Sequence, residues 1–248
     1  MKFRLIVDGP RPASENMACD YACMMLCKRP VLRLYSWQPA AVSIGRFQDL
    51  DEEVDLDYCR QNGIDVVRRI TGGGAVYHEG ELTYSLCIPE KNPYFDLDLH
   101  KSYEAICGCI IAALTQFGLK ASYAPINDIL INGRKVSGCA QTRKKGIILH
   151  HGTLLITLNK EKMFKCLKVL PIKLSGKPIS QVKDRVTCLS DELGKEVPMA
   201  DCVASITTGF EQTWGIEFVK SGYTDDENRL MKKAKKEIFE NEQFLHER

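Results

Sequence analysis

No apolar run in this chain approaches the roughly twenty residues that a bilayer-spanning helix requires, so no membrane partner is expected. The N-terminus, Met1-Lys2-Phe3-Arg4, has neither the apolar h-region nor the small-residue cleavage site of a secretory signal, and a cytoplasmic location is the expectation. Charge of neither sign dominates: 34 Lys and Arg face 32 Asp and Glu, a formal net charge of +2. That balance supplies no global attraction to nucleic acid. There is no Cys-x-x-Cys pair, and 11 cysteines, an odd number without a secretory signal, argue against a disulfide framework. Neither nucleotide fingerprint occurs, since the one glycine run is not followed by Lys-Ser/Thr and lacks the Gly-x-Gly-x-x-Gly spacing. No repeat or low-complexity linker divides the 248 residues, which read as one domain over 1–248.

Cysteine itself is plentiful. Cys19, Cys23 and Cys27 recur every four residues beside Met24, one stripe of a helix, and free cysteine packs as a small apolar residue. The stripe reads as core lining, as do Cys107 and Cys109 among Ile106 and Ile110. Cys139 and Cys188 lie in motif-rich stretches and stay open.

Periodicity orders the elements. Phe3 to Asp8 alternates like a strand, and Ser14-Glu15-Asn16 offers a cap to the cysteine-bearing helix, which runs through Lys28. Val31 to Tyr35 and Ala41 to Ile44 read as strands around Gln38-Pro39, a helix ends at Asn62-Gly63, and Ile64 to Arg69 is a strand. Leu82 to Ile88 is another strand, and Ser102 to Phe117 is a buried helix stopped by Gly118. Asn132-Gly133 marks a two-residue hairpin turn, Thr142 to Gly146 reads as a basic loop, and Ile147 to Leu158 as a strand. Helices joined by short loops follow, with one β-like piece at 215–219. Hairpins outnumber βαβ units, so an α/β domain of the α+β type is expected, with a mixed, largely antiparallel sheet flanked by helices.

The most informative stretch is Arg68-Arg69-Ile70-Thr71-Gly72-Gly73-Gly74-Ala75-Val76-Tyr77-His78. Three glycines after a strand let a ligand lie against bare peptide N–H groups, where oriented amides bind a carboxylate or phosphate. Arg68 and Arg69 would add positive charge. A second constellation gathers Asn127-Asp128, Gly133-Arg134-Lys135-Val136-Ser137-Gly138-Cys139-Ala140-Gln141 and His150-His151-Gly152-Thr153. A lysine within an inward-looking strand is costly unless it meets an anion, and its compact ammonium suits a carboxylate or phosphate. An exposed hairpin side chain is the plainer alternative. His150 and His151 should point to opposite faces, a poor arrangement for a shared metal.

Together these motifs resemble the lipoate-protein ligase and octanoyltransferase family, the catalytic domain shared with biotin ligases. The resemblance runs through the arginine-glycine stretch, Asn127-Asp128, the lysine motif, His-His-Gly-Thr-Leu-Leu and Arg185-Val186-Thr187. Weaker matches fall at Pro30-Val31-Leu32-Arg33, Gly45-Arg46-Phe47-Gln48 and Glu81-Leu82-Thr83-Tyr84-Ser85. It implies acyl transfer to a lysine. In the ligases, lipoate and ATP give lipoyl-adenylate, which a lysine of a lipoyl domain then attacks. Carried over residue by residue, Arg69, Thr71, Gly72, Gly73, Gly74, Ala75, Val76, Tyr77 and His78 would cradle the acyl carboxylate and adenylate. Lys135 would stabilise charge developing on the acyl carbonyl and phosphate oxygens, with Gly138 and Ala140 beside it. Asn127 and Asp128 would contact the nucleotide or its Mg2+, with Asp128 as the metal ligand, and His151 would shape the acyl-carbonyl end.

The resemblance divides between two branches. Ligases often carry a C-terminal accessory domain, which is not expected in 1–248, so adenylation would need a separate accessory chain. Octanoyltransferases pass the acyl group from acyl-carrier protein through a cysteine thioester. In the longer relatives that cysteine sits in an insertion ahead of the lysine motif, whereas here Tyr123-Ala124-Pro125-Ile126 runs straight into Asn127-Asp128, as in ligases. The spacing of His78-Glu79-Gly80-Glu81-Leu82-Thr83-Tyr84-Ser85 is that of the octanoyltransferases. The sequence therefore reads as a lipoate-protein ligase catalytic domain, with ATP, Mg2+ and lipoate as its ligands. Its partners would be apo lipoyl domains of 2-oxoacid dehydrogenase complexes or the glycine cleavage H protein. The alternatives are an octanoyltransferase, with Cys139 on the same strand face as Lys135 as candidate nucleophile and Cys188 as a second suspect, and a non-catalytic lipoate- or biotin-binding module.

Overall fold

Val31-Leu32-Arg33-Leu34-Tyr35 and Leu82 to Ile88 are buried at every position, not at alternate ones, the pattern of strands covered on both faces. In the computed structural model, which describes residues 2–95, 98–168 and 184–247, both lie at the middle of the main sheet. That sheet has eight strands in the order β11-β1-β2-β6-β10-β9-β8-β7. They are β1 (Lys2–Arg11), β2 (Val31–Trp37), β6 (Glu81–Pro89), β7 (Ala121–Ala124), β8 (Asp128–Ile131), β9 (Arg134–Lys144), β10 (Ile147–Leu155) and β11 (Glu217–Lys220). A second, three-stranded sheet has the order β4-β3-β5, from β3 (Ala41–Ile44), β4 (Asp65–Arg68) and β5 (Val76–His78). The β1/β2, β1/β11 and β3/β4 pairs are parallel and the others antiparallel. The expected mixed, largely antiparallel architecture is what the chain adopts.

Two helices cover one face of the large sheet. On α4 (Leu99–Thr115), Ile106, Cys107, Ile110 and Leu114 pack with Leu34, Tyr84, Leu86, Val136 and Cys139 of the strands, and with Ile206 and Phe210 of another helix, Met199–Trp214. Gly209 permits that helix pair to touch, since a Cβ there would lie 2.8 Å from the Ala113 amide nitrogen. On the other face lies α1 (Ala13–Met25), flanked by the small sheet and the C-terminal helical segments. Cys19 and Cys23 are buried along α1 as its periodicity demands, while Cys27 is half-buried beyond its end.

Three details differ from the sequence reading. The cap of α1 is Pro12 with no side-chain hydrogen bond, because Asn16 turns inward and donates to the Arg11 and Ser36 carbonyls. Thr142 to Lys144 continue β9, and only Lys145-Gly146, with φ of 54° and 71°, form the turn. Lysine is an unusual left-handed residue, so that turn carried no sequence signal. Val76 to His78 form β5 and leave the glycine loop shorter than the motif.

A buried polar network joins α1 to the sheet. Arg33, 1 % exposed, donates from Nε to Asp8 Oδ2 at 2.8 Å, from Nη1 to Asp20 Oδ1 at 2.9 Å and from Nη2 to Asn16 Oδ1 at 2.6 Å. Its guanidinium also lies over the Tyr35 ring. Burial by itself would raise the Asp20 carboxyl, but hydrogen bonds from His151 and Arg33 and their charge hold it below the usual carboxylate range. Removing one partner strands the others in low dielectric. Arg33→Leu is therefore expected to cost about 3–5 kcal/mol in urea unfolding, and Arg33→Lys, lacking the fork, to recover only a small part. A loss below about 1 kcal/mol in either variant would contradict this role for the network.

Candidate functional site

The turn Asn132-Gly133, with φ of 51° and 75°, closes the β8/β9 hairpin as expected. Pairing begins with Ile131 opposite Arg134 and Leu130 opposite Lys135, then skips a residue, so that Ile129 faces Ser137 and Asp128 faces Gly138. Val136 is the extra residue of a β-bulge. An inserted residue shifts the two-residue alternation of side chains, and Lys135 ends on the face of Gly138 and Ala140. A Cβ on Gly138 would lie 2.5 Å from Lys135 Nζ. The Lys135 ammonium sits 2.6 Å from Asp128 Oδ1 and is 38 % exposed. Its backbone is gripped from the other side as well: Lys135 N donates to Arg185 O at 2.7 Å, and Thr187 N donates to Lys135 O at 2.9 Å. The Arg-Val-Thr stretch thus acts as a clamp on the lysine.

The same shift corrects the expectation for Cys139. Its sulfur lies on the opposite sheet face from Lys135, in the core against α4, where it donates to Asn127 O at 3.2 Å and lies 3.7 Å from Cys107 Sγ. That sulfur contact, together with burial, pushes the thiol well above the ordinary range. Cys188 precedes the short helix Leu189–Leu193, is buried, and is not among the residues that line the cavity described below.

The glycine loop is wrapped around Arg69. That guanidinium donates from Nη2 to the carbonyls of Gly72 and Gly74, both at 2.7 Å, from Nη1 to Ser43 O at 2.9 Å, and from Nε to Thr71 Oγ1 at 3.1 Å. Burial lowers it to about 10, so it remains charged at neutral pH. In a trans peptide the N–H points opposite to the preceding carbonyl, so the N–H groups of Gly73 and Ala75 are turned away from Arg69. Arg68 differs from expectation. Through Nε and Nη1 it binds the carbonyls of Gly45, Arg46, Gln48, Phe244 and Leu245, and the structure does not bring it to the cavity. Gly73 has φ of +91°, and a Cβ on it would lie 3.0 Å from Arg69 Nη2. Gly45 lets the loop lie down, because a Cβ there would sit 3.1 Å from the Gly73 carbonyl carbon; the sequence showed it only as a weak match.

Two histidines brace the loop from the sheet. His151 Nδ1 donates to Asp20 Oδ2 at 3.0 Å, leaving Nε2 2.7 Å from Thr71 Oγ1. His78 lies between Ser43 Oγ, 2.8 Å from Nε2, and Glu81 Oε1, 2.6 Å from Nδ1, and its ring stacks on Trp37 at 4.0 Å. His150 points the other way, as expected for adjacent strand residues. Burial and the charge of His151 push it down to about 3, so it stays neutral.

These elements enclose a cavity of about 260 Å³. Of the residues expected at the site, Arg69, Gly73, Gly74, Ala75, Val76, Tyr77 and His78 line it. So do Asn127, Lys135, Gly138, Ala140 and His151. Thr71, Gly72 and Asp128 stand behind them, on His151, Arg69 and Lys135 respectively. Met17, Tyr35, Trp37, Leu155, Met163 and Leu167 supply apolar wall that motif reading missed, because they converge from distant elements. Among the described residues no carboxylate lines the cavity. Asp128 was the expected Mg2+ ligand, but Mg2+ demands an octahedral oxygen shell. A single carboxylate already paired with an ammonium does not fit a resident one. No described helix is long and apolar enough to cross a membrane.

Residues 12–211 match the family described as Lipoyl protein ligase A/B catalytic domain. Octanoyltransferase LipM of Clostridioides difficile (strain 630) is 34 % identical, over 100 % of this chain and 99 % of the relative. A solved bi-partite lipoate protein ligase from Thermoplasma acidophilum, described with its E2 lipoyl domain, superposes with a TM-score of 0.89 at 29 % identity, covering 99 % of this chain and 96 % of that one. A lipoate-protein ligase A bound with ATP gives 0.86 at 28 % identity, with 99 % of both chains covered. The name Octanoyltransferase LipM recurs among the relatives, and this overturns the ligase expectation. That expectation rested on a short connection at Tyr123–Ile126, a local feature of an edge strand, whereas the curated relatives matched over nearly the whole chain carry the octanoyltransferase name. ATP and Mg2+ belonged to the ligase reading; the lipoate-protein ligase A neighbour is described with ATP bound.

The fit of Gly45 beneath the loop can be measured. Gly45→Ala is expected to cost about 1–3 kcal/mol of stability by overpacking, while Gly9→Ala, where a Cβ meets nothing within 4 Å, should differ little from wild type in the same urea titration. Equal effects of the two would show that the loop does not rest on Gly45.

Proposed function

The chain belongs to the Lipoyl protein ligase A/B catalytic-domain family, and we propose that it is an octanoyltransferase within a single catalytic domain. It would carry octanoate from a thioester donor, octanoyl-acyl-carrier protein, to the ε-amine of a lysine on an apo lipoyl domain. The observation that carries this reading is the cavity: an apolar wall for the acyl chain and, among the described residues, no carboxylate and one ammonium, Lys135, held at both its backbone N–H and its carbonyl. Medium-chain acyl groups need apolar surface, and their carbonyl needs a donor where negative charge develops.

In this mechanism the acceptor amine attacks the thioester carbonyl, forming a C–N bond. Lys135 stabilises the oxyanion, assisted by the N–H groups that the Arg69 cage turns outward. Collapse breaks the C–S bond, and the departing thiolate takes the proton lost by the amine. His151 and Thr71 hold the loop in register with the sheet. No protein thioester is required, which suits the placement of the cysteines: all eleven are buried or half-buried, and the sulfur of Cys139, the one that lines the cavity, faces the core.

The test offers apo lipoyl domain with either octanoyl-acyl-carrier protein or lipoate plus Mg-ATP, and weighs the acceptor. An octanoyl mass increment from the first donor and no lipoyl increment from the second is expected. Lys135→Ala should lower octanoylation by about 10²–10³-fold, the usual cost of an oxyanion donor. Gly138→Ala, whose methyl would displace the Lys135 ammonium, should cost on the order of 10²-fold with its melting temperature little changed. Lipoyl transfer alone, or full turnover by Lys135→Ala, would overturn the proposal.

A further inference from the structure

Behind the sheet, on the face away from the cavity, three side chains from separate elements converge. Cys107 comes from α4, Cys139 from β9 and His150 from β10. The two sulfurs are 3.7 Å apart, each side chain is buried, and one sulfur or ring-nitrogen atom from each lies within 4.8 Å of the others. Two zinc–sulfur bonds of about 2.3 Å at a tetrahedral angle separate their sulfurs by about 3.8 Å. The thiols already stand at that spacing.

His150 distinguishes this cluster from a packed pair of cysteines. Its Nδ1 lies 3.2 Å from Gln141 Oε1, an acceptor, so the proton is on Nδ1. Nε2 carries the lone pair and, although the residue is 0 % exposed, has no hydrogen-bond partner among the described residues. Buried polar atoms are ordinarily paired, and an orphan needs an explanation. A metal-binding histidine characteristically donates its other N–H to a carbonyl oxygen that fixes the ring, as Gln141 does, and Gln141 Nε2 is itself anchored on Ser102 Oγ at 3.1 Å.

We propose that Cys107, Cys139 and His150 bind a zinc ion. As the two S–Zn bonds form, each thiol releases its proton to solvent, and two thiolates, a neutral imidazole and Zn2+ sum to zero charge, a condition suited to burial in apolar surroundings. Tyr84, whose side chain contacts Ser137 and stacks on His150, packs beside the cluster. The site is tied to the cavity through one strand: Cys139 N donates to Asn127 O at 3.0 Å, and Asn127 Nδ2 donates to Cys139 O at 2.7 Å. Metal bound behind β9 would stiffen the strand whose front face presents Gly138 and Ala140. The inference stands whatever acyl donor the cavity takes.

The full-length protein, chelator-treated in reducing, oxygen-free buffer, is titrated with Co2+ and then Zn2+. One equivalent of Co2+ should bind with thiolate-to-cobalt absorption in the near ultraviolet and the intense visible bands of a tetrahedral site, and Zn2+ should bleach both and raise the melting temperature. Cys107→Ser and His150→Gln should each lose the tetrahedral cobalt spectrum, while Cys59→Ser keeps it. Because either variant could fail to fold, zinc-edge X-ray absorption of the wild type supplies an independent reading, with two sulfurs at about 2.3 Å and nitrogen at about 2.0 Å expected. Binding below stoichiometry, a sulfur-free shell, survival of the cobalt spectrum in both variants, or a Cys107–Cys139 disulfide formed on mild oxidation with no metal bound would each overturn the proposal.

Discussion

The bulge at Val136 is the constraint on which the site depends. Without the inserted residue, strict alternation would put Lys135 and Cys139 on one face and Gly138 on the other. With it, the ammonium shares a face with Gly138, Ala140 and the glycine loop, and the Cys139 sulfur is delivered to the core against Cys107. A change of one residue in register therefore decides which side chain lines the cavity and which one packs in the core. The clamp at Arg185–Thr187 holds the bulged strand where its ladder to β8 is interrupted.

Two buried arginines do comparable work by different means. Arg33 collects carboxylates from β1 and α1, and so fixes Asp20, which in turn orients His151 beneath the loop. Arg69 has no carboxylate partner among the described residues; it is satisfied by carbonyls and hydroxyls, and in satisfying itself it shapes the glycine loop. The path from Arg33 through Asp20, His151 and Thr71 to Arg69 is continuous in hydrogen bonds. Core packing and site geometry are thereby one network. A charge buried in this way is tolerated because its N–H groups meet carboxylate, carbonyl and hydroxyl oxygens.

Much of this was legible in the residues. The doubly buried strands, the Asn-Gly hairpin, the opposed histidines and the mixed sheet follow from local patterns, and the glycine loop and Lys135 do come together. What escaped is long-range. Nothing in Arg134-Lys135-Val136-Ser137 marks a bulge, which exists only relative to a partner strand. Arg68 resembles Arg69 in sequence, yet one turns to the C-terminal segment and the other to the loop. Asn16 looked like a cap, but its amide is claimed by Arg33 and the Ser36 carbonyl. The apolar wall of Met17, Trp37, Leu155 and Met163 comes from four separate elements, each with its own local pattern. The ligase reading failed for a related reason: it rested on one short connection, while relatives matched along nearly the whole chain are octanoyltransferases by name.

The central claim is that the bulge assigns acyl chemistry to Lys135 and withholds it from Cys139. The most direct measurement is the intact mass of the protein during a single turnover with octanoyl-acyl-carrier protein and limiting apo lipoyl domain, quenched at intervals and split with and without hydroxylamine. The account predicts that octanoate moves from donor to acceptor with no hydroxylamine-sensitive octanoyl adduct on the enzyme at any time. An adduct that rises and decays at the rate of transfer, mapped to a cysteine of this chain, would contradict it.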